Sequence, residues 1–336
     1  MTLIRPRAEV ADASGPGRRP AVGRAFAVLA LVAVAALIPL LGPRAALSDT
    51  GEAAAPGVGG IALLRAVLFA ALCVPVGEVF ATRLARRVPG APLEEVPRSW
   101  AAYAAAAGFV AALGLASVVA TGNLLPHHLS DMDIGGLYRT RDGKLALLEV
   151  NAFAVAGLCA RSRRPATQVW PLAAVAVAEA LRAHPATEQG PLVGSGLTLV
   201  HVTCAALWVG GLLHVLRMVR KWRTSEAGGA LLGLYARVAA VLFAAVTATG
   251  VWSGLRRMPS GTVLDQLTDT SYGRTLLAKL VLVAAVAVLA LLARLRLRRT
   301  TDRLSACVPA RAEVVALGLV VAVSGLLTAL PLPIRW

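Results

Sequence analysis

The chain has 336 residues, of which 57% are hydrophobic and only 15% are charged. A soluble domain of this length needs more polar surface to cover its core, so the composition excludes an ordinary soluble protein. The net charge of +16 does not indicate a nucleic-acid partner, because the Lys and Arg residues fall in short clusters between long apolar runs. The sequence predicts an all-α, polytopic membrane helix bundle.

Nine segments are apolar over the length of about 20 residues that a membrane-spanning helix needs. In chain order the predicted spans are 25–42, 58–82, 99–122, 144–160, 166–182, 195–219, 234–255, 274–295 and 311–333. The first span follows a basic tail and ends near Ala45-Ala46-Leu47, which leaves a cleaved signal peptide as an alternative. Its apolar run is long for a signal peptide, so an uncleaved span is favoured.

The basic residues predict which side of the membrane each loop faces. With the N-terminus in the cytoplasm, the inside segments hold more than twice as many Lys and Arg residues as the outside segments. The bias is correct at every inside loop. The sequence therefore predicts a multi-pass protein of the cytoplasmic (inner) membrane, with the N-terminus inside and the C-terminus outside.

Spans three and four resemble spans seven and eight. The matching landmarks are residues 120–122 with 248–250, both Ala-Thr-Gly, and residues 143–144 with 273–274. In this alignment Glu149 stands opposite Lys279. The pattern predicts a parallel repeat of four helices, with chance similarity among apolar segments as the alternative. The predicted parts are a cytoplasmic tail (1–24), the first span with its outside loop (25–57), a first four-helix half (58–194) and a second half (195–336).

Span six carries the most informative polar residues. His201, Cys204 and Trp208 lie on one stripe of this helix, and Gly210 and Gly211 would let another backbone approach closely. A histidine inside a membrane helix is costly unless it finds a partner, so His201 is a candidate functional residue. A histidine that merely bonds to a neighbouring helix is the alternative explanation.

The same run, from His201 to Trp208-Val-Gly-Gly211, resembles the copper resistance protein D family, whose domain opens with this pattern. The resemblance continues through Thr249-Gly250 and through Tyr-Gly-Arg-Thr-Leu-Leu-Ala-Lys at 272–279. It covers residues 195–300 and, more weakly, residues 60–165.

The resemblance implies an inner-membrane protein that imports copper or transfers it across the cytoplasmic membrane, with copper as ligand or substrate. Some members of the family carry a soluble copper-binding domain, which is not expected in this chain. A separate periplasmic copper-binding donor protein is therefore an expected partner, beside the copper ion and the lipid bilayer.

Side chains that can bind metal are concentrated toward the predicted outer surface. The predicted ligands are His127, His128 and Met132 in an outside loop as a capture site, His201 with Cys204 as a relay, and His214 with Met218 near the inner end as an exit. Copper accepts imidazole and thioether ligands, and Cu(I) favours sulfur. An ordinary solvated polar loop is the alternative explanation of the loop residues.

A second set of residues is ionic. Arg65, Glu149, Glu179 and Lys279 all lie within about two helical turns of the predicted outer surface. Charges in lipid should pair or line a wet cavity, and Glu149 is predicted to pair with Lys279 or Arg65. Such a pair would lock the two halves together structurally, or alternatively serve permeation.

Two other functions stay open beside copper handling. A membrane b-type cytochrome or electron carrier usually needs histidines on two helices at matching depth, whereas both intramembrane histidines lie on span six. A non-transporting assembly factor would recruit partners through the basic loops. The sequence contains no GxxxxGK[ST], HExxH or GxSxG motif, so we do not expect an enzyme.

Overall fold

The computed structural model describes residues 19–53, 55–122, 128–184, 190–222, 226–258, 261–299 and 307–331. The described residues form helices and loops, with no strand among them. The α helices are α1 (Arg19–Leu47), α2 (Val58–Ala85), α3 (Ala101–Ala120), α4 (Ile134–Arg139), α5 (Arg141–Arg161), α6 (Val169–Arg182), α7 (Pro191–Lys221), α8 (Glu226–Arg257), α9 (Val263–Asp269), α10 (Ser271–Arg299) and α11 (Cys307–Leu327).

Each of the nine predicted spans coincides with one of these helices, and the short helices α4 and α9 are additional. Seven helices in the described part of the chain are long and apolar enough to cross a membrane, namely α1, α2, α3, α5, α7, α8 and α10. The predicted polytopic all-α bundle is thus confirmed. Helix α6 has 14 residues and α11 has a described apolar stretch of only Ala312–Leu327, so the count of nine spans stays a prediction.

The described residues divide into two units. The first contains the beginning of α1, up to Val34, and the second runs from Ala35 onward and contains all the other helices. Within the second unit α2 packs on α3, α7 and α11, while α7 packs on α8, α6 and α11. Helices α2 and α7 are therefore the central pair, and the candidate site lies on one of them.

The two central helices touch through their backbones at Gly77 and Gly210. A Cβ atom on Gly210 would collide with the carbonyl oxygen of Cys73, and one on Gly77 would collide with the backbone of Gly210. Small residues let membrane helices approach this closely and gain van der Waals contact. The predicted backbone approach at Gly210 is therefore confirmed.

One local arrangement occurs at the start of both α5 and α10. Thr140 Oγ1 accepts a hydrogen bond from the Gly143 amide at 3.1 Å, and Thr270 Oγ1 accepts one from the Gly273 amide at 3.0 Å. Each glycine lies against the backbone of the short helix before it, where a Cβ atom would collide. These matching N-caps support the repeat, although the division into two halves stays a prediction.

The two halves differ in how their middle helices pack. Helix α3 packs along α5, whereas α8 and α10 are not packed along each other in the described residues. Helix α8 lies on α7, and α10 lies on α11.

Candidate functional site

The side chain of His201 is held by the neighbouring helix α8. His201 lies ten residues after the first residue of α7, about 15 Å along the helix. Its Nδ1 atom is 3.0 Å from Oγ1 of Thr249, a buried residue of α8. The predicted intramembrane histidine therefore has a polar neighbour, as a histidine in lipid requires.

The hydroxyl of Thr249 lies within hydrogen-bond distance of three groups. It is 2.7 Å from the carbonyl oxygen of Ala245, 3.2 Å from that of Val246 and 3.0 Å from Nδ1 of His201. When its single hydrogen is directed to a carbonyl, the hydroxyl oxygen can accept from Nδ1–H of His201, and Nε2 then keeps its lone pair. A hydrogen bond on one ring nitrogen also orients histidines that bind metal through the other nitrogen.

Gly250 makes the close fit of this imidazole possible. A Cβ atom at Gly250 would lie 3.3 Å from Cε1 of His201, tighter than most packing contacts. Cys204 follows His201 by one helical turn on α7, is half-buried and is a free thiol. The imidazole and the thiol thus share one face of α7.

Two basic residues of α8 and α10 act on this site through their charges. The charge of Lys279 on α10 acts on His201, and that of Arg257 at the end of α8 acts on Lys279. Arg257 Nη1 also donates to Tyr272 Oη at 3.4 Å, which ties the end of α8 to the start of α10.

Trp208 is part of the core. Its backbone carbonyl accepts a hydrogen bond from the hydroxyl of the buried Tyr235 at 2.5 Å. Its ring packs edge-to-face with Phe243 at a centroid distance of 5.3 Å. This geometry supports the prediction of a structural role for Trp208.

The charged side chains of the first half form a compact cluster. Arg65 on α2 donates to Glu179 on α6 at 3.1 Å, and Arg182 donates to the other oxygen of Glu179 at 2.9 Å. Arg182 also pairs with Glu149 on α5. The structure thus corrects the predicted pairing of Glu149 with Lys279 or Arg65. Arg182 lies one turn after Glu179 on the same helix and reaches both carboxylates.

A hydrogen-bonded contact joins this cluster to α7. His184, two residues after Arg182, is buried against Gly194, and its Nε2 atom is 2.9 Å from Oγ1 of Thr198. Thr198 lies one turn before His201 on α7. Arg141 holds the end of α6 in place by donating to the carbonyl of Leu181 at 2.9 Å.

The outside-loop residues are not assembled into a metal site. His127 lies outside the described residues. His128 is exposed, and its backbone amide donates to Asp131 at 2.9 Å; Met132 is half-buried. No group of three or more His, Cys, Asp or Glu side chains that could hold a metal occurs in the part of the chain that the structure describes. The capture site stays a prediction.

The predicted exit pair lies near the other end of α7. His214 is buried, and its Nδ1 atom is 3.4 Å from Nη1 of Arg217. The guanidinium of Arg217 lies over the ring of Trp100, 3.6 Å from its centroid. Met218 is completely buried in the hydrophobic core. His214 and Met218 are thus neighbours on one helix in a packed environment, and their role in copper release stays a prediction.

Two residues that contribute to the site were not predicted to do so from the sequence. Thr249 was recognised as a landmark of the repeat but not as the residue that orients His201. Arg182 was not among the predicted ionic residues, although the predicted span 166–182 and α6 both end at it. The recurrence of Ala-Thr-Gly and the i, i+3 spacing of Glu179 and Arg182 were the available signals.

Comparison with known proteins gives one match. Residues 229–327 match the model of the family described as copper resistance protein D. The matched segment contains Thr249, Gly250 and Lys279, whereas His201 and Cys204 precede it. No curated protein and no solved structure gives a significant match to the chain.

Proposed function

We propose that this protein, whose residues 229–327 match the copper resistance protein D family, moves copper across the cytoplasmic membrane. The family and the long apolar helices make it a multi-pass membrane protein connected with copper resistance. The inward direction, the N-inside topology and delivery by a separate periplasmic protein are parts of the proposal that come from the family resemblance and the loop charges.

The observation that carries the proposal is the orientation of His201 by Thr249. In the proposed tautomer the hydrogen bond of 3.0 Å occupies Nδ1 and leaves the lone pair of Nε2 for a metal ion. Thr249 belongs to the segment that matches the copper family, so the residue that contacts His201 lies within that segment. Metal-binding histidines usually have such a hydrogen bond on their other ring nitrogen.

Cys204 is the second proposed ligand. A thiolate and an imidazole suit Cu(I) better than the harder divalent ions. Two protein ligands beside the positive charge of Lys279 hold a cation weakly. Weak binding is appropriate for transport, because an ion must leave its site as readily as it enters.

His214 and Met218 are the proposed exit ligands. By helical rise His214 lies about 20 Å and Met218 about 26 Å from His201, which separates the two ends of the proposed path along α7. The protein is proposed to catalyse no chemical reaction. Copper movement would then depend on a gradient or on exchange between ligands.

Copper accumulation in cells tests the proposal directly. Cells that produce the protein are expected to contain more copper than cells without it, and His201→Ala is expected to abolish the difference because the entry ligand is lost. Thr203→Ala is the matched control, since Thr203 is exposed on the same helix. The measurement is metal content per cell at equal protein level. Equal copper content with and without the protein would overturn the proposal.

The role of Thr249 is tested by a conservative pair of variants. Thr249→Val removes the hydroxyl that accepts from His201 and is expected to weaken copper affinity about 10–100-fold, as loss of a metal ligand's supporting bond usually does. Thr249→Ser keeps the hydroxyl and should retain the original affinity. Competition of the purified protein with a copper chelator measures both. Unchanged affinity in Thr249→Val would refute the positioning role.

A further inference from the structure

The buried ionic cluster formed by α2, α5 and α6 plays no part in the copper path described above. Its members are Arg65, Glu149, Glu179 and Arg182. Glu149 is 0% exposed, and the Glu179 and Arg182 side chains are only 5% and 9% exposed. Removing charges from water is costly, and replacing buried ion pairs by apolar residues is often neutral or stabilising. The cluster therefore calls for an explanation beyond stability.

The two carboxylates of the cluster are not equivalent. Glu179 receives hydrogen bonds from two arginines, one on each oxygen. Glu149 shares Arg182 with Glu179, and among the described residues its second oxygen, Oε1, has no hydrogen-bond partner. A fully buried carboxylate with one unsatisfied oxygen is unfavourable as an anion. The two carboxyl groups also lie close enough for their charges to repel.

We propose that Glu149 is a proton-binding site within the membrane, and that its proton is released when copper binds at His201. Protonation turns the carboxylate into a neutral acid, which removes the repulsion with Glu179 and the unsatisfied anionic oxygen. Release sends the proton to water and restores the carboxylate as the partner of Arg182. At Glu149 only the O–H bond forms or breaks, and no electron is transferred. Binding of Cu(I) by Cys204 as a thiolate separately breaks its S–H bond and sends that proton to water.

The charged groups around Glu149 favour a proton site at Glu149 rather than at Glu179. Arg65 comes from α2, and Glu179 with Arg182 comes from α6. Helix α3, which packs along α5, carries no charged residue. With Glu149 ionised the four side chains are balanced in charge, and with Glu149 protonated they carry one positive charge. Any additional positive charge that acts on the cluster therefore disfavours the protonated form.

The connection between the two sites runs through α6 and α7. Arg182 contacts Glu149, and His184 follows two residues later and lies 2.9 Å from Thr198. Thr198 is one turn from His201. Movement of α7 upon copper binding would thus be transmitted to the end of α6 that holds Arg182. Release of a proton on copper binding, which rests on the proposed function, would link copper movement to a proton gradient.

Infrared spectroscopy tests the proton site without copper. In the purified full-length protein, the C=O stretching band of a protonated carboxylic acid is expected to appear as pH is lowered and to be lost in Glu149→Gln. Glu149→Gln should fold, because glutamine resembles the neutral acid, and size-exclusion chromatography checks this. Glu94→Gln, at an exposed loop position, is the matched control and should retain the band. A spectrum unchanged by Glu149→Gln would overturn the proposal.

Proton release on addition of Cu(I) tests the link to copper. In weakly buffered solution the original protein is expected to acidify the medium, with one proton coming from Glu149 and one from the thiol of Cys204. Glu149→Gln should bind copper and lose about half of that acidification, because the Cys204 proton is still released. Copper binding with equal proton release in both proteins would overturn the link and leave the proposed function intact. If no copper binds, the proposed function fails, and the infrared result alone decides whether Glu149 is a proton site.

Discussion

A Gly210→Ala variant is expected to unfold at a clearly lower temperature than the original protein. The added methyl group would collide with the carbonyl oxygen of Cys73 and would lie 3.0 Å from the Cα atom of Gly77 at the crossing of α2 and α7. Neither obstacle is a flexible side chain, so the helices must separate. Overpacking of this kind costs about 1–3 kcal/mol and sometimes more. Thermal unfolding of the detergent-purified protein measures the effect.

Gly196→Ala is the matched control on the same helix. Gly196 is exposed, and no atom lies within 4 Å of the position that its Cβ would occupy. Alanine favours a helix over glycine by about 1 kcal/mol, so this variant should be unchanged or more stable. Both substitutions add one methyl group. Gly210→Ala should lower the unfolding temperature, whereas Gly196→Ala should leave it unchanged or raise it. A Gly210→Ala protein as stable as Gly196→Ala would show that α2 and α7 do not cross as described.

Glu179→Gln is expected to be the most destabilising substitution in the ionic cluster. Glu179 is the carboxylate that both Arg65 and Arg182 contact, and its side chain is 5% exposed. Removing its charge leaves a buried guanidinium uncompensated, which typically costs about 3–5 kcal/mol. Glu149→Gln should cost much less if Glu149 accepts a proton readily. Unfolding of each purified variant by heat compares the two.

Two further variants separate charge balance from general damage. Asp133→Asn affects the exposed ion pair with Arg139 and keeps an N-cap for α4, so its effect on the free energy of unfolding should stay below about 1 kcal/mol.

Combining Arg65→Gln with Glu179→Gln restores charge balance in the buried cluster and should recover part of the lost stability. A double variant that is less stable than either single variant would contradict the electrostatic explanation.

The predicted repeat aligns Glu149 with Lys279, but the structure gives the two residues different surroundings. Glu149 belongs to a buried ionic cluster, whereas the charge of Lys279 acts on His201. Helix α3 packs along α5, whereas α8 and α10, which the predicted repeat aligns with them, are not packed along each other in the described ranges.

Several features could be predicted from the sequence because they depend on neighbouring residues alone. The length and apolar character of a segment decide whether it forms a helix in lipid, so the predicted spans coincide with helices. Helical spacing placed His201 and Cys204 on one face of α7. The lack of a side chain at Gly210 predicted that another helix would pack closely there. It did not predict that the residue in contact would be Gly77.

The tertiary structure alone decided which side chains meet across helices. Rotation of a helix about its axis changes every lateral contact without changing its apolar length, so the sequence could not identify Arg182 as the residue that Glu149 contacts, nor Thr249 as the residue that orients His201. The length of α6 was likewise set by its packing and by the 3-10 turn at Pro165–Gln168 before it. Composition and loop charges thus determine that this is a membrane helix bundle, and the packing of α6, α7 and α8 determines where its chemistry lies.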